Sequence, residues 1–346
     1  MGPELSLQAR KAAAKQAAAM GRRAITWTIV LRRSKILKRL VGMTPTLPLL
    51  LVALLQGPSL GATVDSLAAA QHFSGVVLIA RGGSPVVEKA YGTGNNIETA
   101  FNLGSINKLF TQIAIRQLAA QGKISLDSTL GHYWPDYPNV GARGATIRQI
   151  LDHRSGIGGD IFAAPAGKTR HDVRSLADYF ALFARDSLEF APGARQQYSN
   201  AGYIVLGLLV ERLSGQNYYD YVRDHIYQPA GMTRTAAYPV DPLPPNTAIG
   251  YTKDGSRNTD LLPGRGSSAG GGYSTAHDLL RFLTAVRAGK IANAPGAGMI
   301  GIAGGAPGLN AVMEGTLAGD YDVIVLANSD PPAAERMSRA LRERLR

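Results

Sequence analysis

The chain has 346 residues, of which 45% are hydrophobic and 18% charged, with 40 glycines and no cysteine. That composition excludes collagen-like, coiled-coil and wholly disordered proteins, and the missing thiol excludes disulfide scaffolds, Cys-based zinc sites and Cys nucleophiles. The net charge of +12 is placed unevenly: residues 1–42 hold ten Lys/Arg against the single acid Glu4, so 63–346 carry only about +3 with mixed signs. A basic nucleic-acid face needs its excess charge in the folded body, so no nucleic-acid partner is expected.

The basic stretch precedes an apolar run at 47–55 and a small-residue region at 56–62. This is the order of a secretory signal: positive region, short apolar region, small residues. The run is short for a membrane span, which takes about 20 residues. Residues 1–62 therefore read as a basic leader with a signal peptide, and the mature chain would start near Ala62 or Thr63. Met20 and Met43 are alternative starts. An uncleaved anchor using the second apolar block at 24–31 would instead tie the protein to a membrane. The expected location is periplasmic or secreted, with that anchored form as the alternative.

In the body, 75–83 and 85–92 are β-rich runs around a Gly-Gly-Ser-Pro turn, a hairpin signal. Residues 105–121 have helical periodicity with Gly122 as terminator. Between 130 and 200, short helices alternate with Pro/Gly turns, the clearest at 175–185. Further helices are expected at 201–214, closed by Gly215, and at 218–226. Residues 239–272 read as extended loop, 275–288 as helix, 309–316 and 321–328 as strands, and the end from Ala333 as helix. Neither pair of strands is stable alone. Strands from both ends must therefore share one sheet, with 123–272 inserted as a mostly helical lobe and the site at the junction. The fold class is α/β in the α+β sense, an antiparallel sheet flanked by helices.

Three groups of residues carry chemistry. Ser105 and Lys108 stand at i and i+3 at a helix start, on one face, so the amine reaches the hydroxyl. A lysine with an ordinary pKa of ~10.4 must be desolvated, or placed near positive charge, to act as a base. Tyr198-Ser199-Asn200 precedes the apolar helix; its phenol can shuttle a proton and its amide can hold Lys108 and a substrate amide. Tyr137-Pro138-Asn139 has the same spelling in a proline turn and reads as a decoy. Residues 301–308, rich in glycine, read as a loop leading into a strand, where a substrate backbone could lie.

In this order, these elements resemble the serine β-lactamase and penicillin-binding superfamily, most closely its class C-like branch of D-alanyl-D-alanine carboxypeptidases, endopeptidases and esterases. The resemblance runs from Ser74 to Leu345, through segments 101–110, 150–156, 198–207, 229–233, 269–275, 304–308 and 326–328. It implies a β-lactamase/transpeptidase-like fold, Ser105 as acylated nucleophile, Lys108 as its base and Tyr198 as proton shuttle. Asn200 would assist, and the N–H groups of Ser105 and Gly305 would form the oxyanion hole, with Gly304 beside it. The chain departs from that pattern where the third motif begins with Lys or His, because Ile302-Ala303-Gly304 stand there. Ile302 cannot bind a substrate carboxylate. Only eleven residues separate Lys290 from Ile302, where relatives carry another strand, so a gap in the sheet beside the site is expected. Both departures disfavour β-lactam and D-Ala-D-Ala substrates more than simple esters.

Gly266-Ser-Ser-Ala-Gly270 spells a nucleophile elbow, but it lacks the strand before and helix after that the motif needs, and reads as a turn. Asp152, His153, Arg154 and His225 read as structural, and no two His share metal-ligand spacing. No metal or cofactor is implied. Two functions stay open. One is an exported serine hydrolase acting through an acyl-enzyme on an ester, amide or β-lactam carbonyl of a small-molecule or peptidoglycan-derived substrate. The other is a degenerate relative that binds peptidoglycan fragments or a protein partner.

Overall fold

The computed structural model describes residues 59–294, 299–316 and 319–345. Both leader readings, and the alternative starts, fall on residues outside these apart from 59–62. Residues Leu60–Arg346 form one compact unit. A helix the sequence reading did not contain, α1 (Leu60–Gln71), opens it, and the expected mature start lies in its first turn. Its pattern is weakly amphipathic: only Val64 and Ala68 are buried.

The hairpin follows as β1 (Gly75–Arg81) and β2 (Ser84–Tyr91). Gly82 and Gly83 have φ of +58° and +79°, the left-handed pair that a two-residue hairpin turn with native twist demands. A two-residue strand β3 (Phe101–Asn102) leads through a 3₁₀ turn (Gly104–Ile106) into α2 (Asn107–Ala120). The lobe holds short helices α3 (Leu130–Tyr133), α4 (Ile147–Leu151) and α5 (Leu176–Ala181). The long α6 (Asn200–Ser214) comes next, then α7 (Tyr218–Val222) and α8 (Gln228–Ala230). Gly215, at φ +75°, ends α6 as expected. The loop region 239–272 contains one 3₁₀ turn (Asn258–Asp260). After β4 (Tyr273–Ser274) comes α9 (Ala276–Arg287), capped by the Thr275 hydroxyl, which accepts from the Asp278 N–H. Strands β5 (Met299–Ala306), β6 (Leu309–Thr316) and β7 (Asp322–Ala327) precede α10 (Ala333–Leu345).

The five-stranded antiparallel sheet has the order β2-β1-β7-β6-β5, so the two chain ends do meet, through the β1–β7 pairing. Alternation along β1 sends Val76, Leu78 and Ala80 to the main core and Val77 and Ile79 to the opposite face. There α1 and α10 cover the sheet with Val64, Ala68, Met337 and Leu341. The main core is continuous from Leu78 and Leu326 on the sheet to Tyr179 and Ile204 in the lobe. The inserted segment thus shares the core of the sheet rather than having its own.

Three expectations are corrected here. Residues 299–306 are a strand and not a loop, and the sheet has no gap beside the site. β5 pairs with β6 from Met299↔Thr316 to Ala306↔Leu309 without a break. Glycine has a poor strand propensity, which hid the strand from a reading by pattern; its partner supplies the ladder. The clearest lobe helix is also shorter than expected, ending at Ala181.

A buried ion pair ties α9 to the sheet. Asp322 is fully buried and receives Arg287 N–H groups at both carboxylate oxygens, each at 2.7 Å. Removing one member of such a pair strands the other in low dielectric. Asp322→Ala is expected to cost about 3 kcal/mol in urea or guanidinium unfolding; a loss under about 1 kcal/mol would show that the pair is well solvated.

Candidate active site

Ser105 lies in the 3₁₀ turn just before α2, and the turn brings it onto one face with Lys108. Lys108 Nζ is 3.2 Å from Ser105 Oγ, 2.7 Å from Asn200 Oδ1 and 2.5 Å from the Ala269 carbonyl. Neither amide oxygen can donate. In a neutral amine the two N–H bonds go to Asn200 and Ala269, and the lone pair is left facing Ser105. Lys108 is only 4% exposed. Burial pulls its pKa down to about 7, so both protonation states are populated near neutrality. The Tyr198 and Tyr203 ring faces, 4.7 and 5.4 Å from Nζ, favour the cation but do not outweigh its desolvation.

Tyr198 comes from the segment before α6, and its hydroxyl is 2.5 Å from Ser105 Oγ. Burial raises the pKa of the phenol and the bond to Ser105 opposes that rise. At neutral pH it is therefore a phenol that passes protons, leaving Lys108 as the base. Ser199 caps α6 by accepting from the Gly202 N–H at 2.9 Å, which fixes Asn200 as the first helical residue.

The third wall is β5. Its turn closes on the pair Ala306–Leu309, and ladder bonds alternate, so the Gly305 N–H faces away from β6 toward Gly104. A Cβ on Gly104, whose φ is +51°, would lie 2.7 Å from that nitrogen. A Cβ on Gly304 would meet the Leu103 carbonyl at 2.1 Å and Ser105 N at 2.6 Å. Glycine at 104 and 304 is what allows strand and turn backbones to touch, which sets the Gly305 N–H beside the turn that carries Ser105. Ile302 stands on the same strand, packed partly against the main core and lining the cleft.

The structure thus brings together Ser105, Lys108, Tyr198, Asn200, Gly304 and Gly305. It also adds two groups. The Ala269 carbonyl sits in the turn spelled like a nucleophile elbow. Ser267 and Ser268 of that turn are buried, and Ser268 donates to the Tyr203 carbonyl. A backbone acceptor leaves no mark in a sequence. His153, read as structural, forms part of the cleft wall. It stacks on Tyr198 at 4.7 Å between ring centroids, and its Nδ1 accepts from the Ser199 N–H at 3.1 Å. Burial first, and the Lys108 charge second, lower its pKa and keep it neutral. Its φ of +58° is rare for a non-glycine residue and could not be foreseen. His225, by contrast, packs on Tyr221 far from these groups, and Tyr137 is core packing against Trp134 and Phe180. Among the described residues, no group of three or more His, Asp or Glu is placed to hold a metal.

Ser105, Tyr198 and Gly305 separate two cavities. One, of about 440 Å³, is walled mainly by apolar groups, among them Ile161, Phe162, Tyr179, Val240 and Leu262. The other, of about 330 Å³, has the ionisable side chains Lys108, His153 and Glu335 in its wall, together with Ile302.

A serine joined to a buried lysine and a tyrosine, under a glycine-rich edge strand, defines the class of active-site serine proteins with a penicillin-binding fold. The β-lactamase family profile matches residues 60–297, and the chain belongs to that family, whose members are serine hydrolases. It is 31% identical over 229 residues to the putative penicillin-binding protein PbpX of Bacillus subtilis, covering 63% of this chain and 56% of that one. It is 29% identical over 211 residues to penicillin-binding protein 4* of the same organism, covering 58% and 46%. The chain thus spans about half the length of these relatives. Among solved structures, a penicillin-binding protein from Bacillus halodurans superposes with a TM-score of 0.71 at 29% identity, covering 81% of this chain and 99% of that one. A D-stereospecific amidohydrolase from Streptomyces gives 0.68 at 23% identity, covering 83% and 98%, and shows the shared fold.

Proposed function

We propose that the protein hydrolyses an ester or amide through an acyl-enzyme on Ser105. The observation that carries this is the position of Ser105 Oγ between Lys108 Nζ and Tyr198 Oη. Neutral Lys108 takes the serine proton as Oγ attacks the carbonyl carbon, and the N–H groups of Ser105 and Gly305 receive the developing oxyanion. Tyr198 passes the proton to the departing oxygen or nitrogen, and the bond to it breaks. Water then attacks the acyl-enzyme by the same route in reverse, which restores Ser105. All of these groups are the chain's own side chains and backbone.

The apolar cavity supports an acyl group with a hydrocarbon or aromatic face. Ile302, where the resemblance expects a cation, supports substrates that do not depend on a carboxylate. Proteins that share the fold are described as a D-stereospecific amidohydrolase and as EstCE1, a hydrolase with promiscuous acyltransferase activity. Export through the N-terminal segment belongs to the same proposal, on the charge and hydropathy order of residues 1–62; no helix among the described residues is long and apolar enough to cross a membrane. Ile302 also favours a second reading, a relative that binds peptidoglycan fragments or a protein partner without turnover.

A fluorophosphonate and a fluorescent penicillin offered in parallel test the proposal. Strong phosphonate labelling with weak penicillin labelling is expected. Labelling by penicillin at an equal rate would overturn the preference against carboxylates, and no labelling of folded protein by either would leave the binding reading.

A further inference from the structure

The smaller cavity beside Ser105 contains an acid that none of the preceding chemistry uses. Glu335 sits in the first turn of α10 and lines the cavity with Ser105, Lys108, Tyr198 and Ile302. Its Oε2 is buried and has no hydrogen-bond partner, and the side chain forms no ion pair among the described residues. A carboxylate oxygen withdrawn from water without a partner costs free energy unless something supplies a proton or positive charge.

The position of this acid is fixed by the same backbone that forms the oxyanion hole. Asn310, fully buried on β6, donates from Nδ2 to the Gly304 carbonyl at 2.9 Å and accepts the Ala334 N–H at 2.6 Å. One side chain thus clamps the start of α10 to the strand next to Gly305, and Glu335 is the next residue along. On the facing strand, the position at which the resemblance expects Lys or His is Ile302. The cleft lacks a cation on one wall and has, on another, a carboxyl oxygen without a hydrogen-bond partner.

We infer that the cavity lined by Lys108 and Glu335 selects a cationic group on the leaving-group side of the substrate, with Glu335 as the specificity-determining residue. This rests on the proposed hydrolase function. The leaving group belongs in this cavity because Lys108, which stores the proton the leaving group must receive, lines it and does not line the apolar one. The substrate class is then an ester or amide with an apolar acyl part and an ammonium-bearing alcohol or amine part. A carboxylate in the same place would meet Glu335, and Ile302 offers it no cation.

Butyrylcholine and its neutral isostere 3,3-dimethylbutyl butyrate differ in that charge alone. The folded protein is expected to hydrolyse the choline ester with kcat/KM at least tenfold higher, mostly through KM. The ratio should fall toward one in Glu335→Gln, and also in Ile302→Lys, which places an ammonium in the cavity without touching Glu335. A ratio near one in the unaltered protein, or one that persists in both variants, overturns the inference. A merely structural Glu335 would change the melting temperature and leave the ratio alone. Phosphonate labelling separates the two levels: a labelled protein without charge preference refutes only the role of Glu335, whereas an unlabelled, inactive protein refutes the hydrolase function itself.

Discussion

Ser105→Ala is expected to lower kcat/KM on an activated ester by about 10⁴-fold or more while leaving the fold intact. The hydroxyl is the atom on which the proposed covalent step depends, and no neighbouring side chain can replace it. Tyr198 reaches the same point, but its pKa lies above the ordinary tyrosine value, so it stays a phenol at neutral pH. The Ser267 and Ser268 hydroxyls are buried in a turn and committed to backbone contacts. Structurally, the loss is small. Ser105 Oγ bonds only to Tyr198 and Lys108, and the turn is held by backbone bonds such as Leu103 N–H to the Gly272 carbonyl. The check is ester hydrolysis beside a thermal melt. Retained turnover in a folded variant would mean that another group is the nucleophile.

Lys108 governs the second large effect, which has two pH signatures. As a base it acts when deprotonated, and its pKa is lowered by burial to about 7. Activity should therefore rise with pH through an inflection near 7 and level off above it. Lys108→Met should remove the inflection and cost about 10²- to 10⁴-fold in kcat. Stability follows the same shift. The unfolded chain holds its lysine proton up to the ordinary value of 10.5, whereas the folded chain releases it near 7. Between these values the unfolded state binds more protons, so stability rises with pH across that window. Below about pH 7 the folded protein bears the full cost of a buried ammonium. Denaturant unfolding at several pH values checks this, and Lys108→Met should flatten the slope. A slope equal in variant and parent would mean that Lys108 stays protonated throughout.

The parts of this site that follow helix geometry were open to sequence reasoning. Ser105 and Lys108 are three residues apart, and the period of the helix alone puts them together. Tyr198 and Asn200 lie more than ninety residues away, and only the resemblance joined them to that pair before the fold did. The fold itself was readable where hydrophobic periodicity and punctuation agreed. The β1–β2 hairpin with its glycine pair, α6 with Gly215, and α9 with its Thr275 cap are of this kind. It was unreadable where tertiary contact decides. β5 carries glycines because Leu103 and Ser105 press against it, and a strand that must expose its backbone has no apolar alternation to show. His153 was underrated because its importance comes from stacking on Tyr198, a partner 45 residues further along the chain. Ala269 contributes a carbonyl that any residue would offer. Glu335 looked like an ordinary acid in the first turn of an amphipathic helix, where the helix dipole favours it. Its neighbours in the cleft come from α2, β5 and the segment before α6.

The measurement that bears most directly on this account is to locate the covalent adduct. The protein is treated with a fluorophosphonate and digested, and the modified peptide is identified by mass spectrometry at pH 6 and pH 8. One modified residue is expected, Ser105, with the adduct forming faster at pH 8 as Lys108 loses its proton. An adduct on any other residue, or a folded protein that remains unmodified at both pH values, would contradict it.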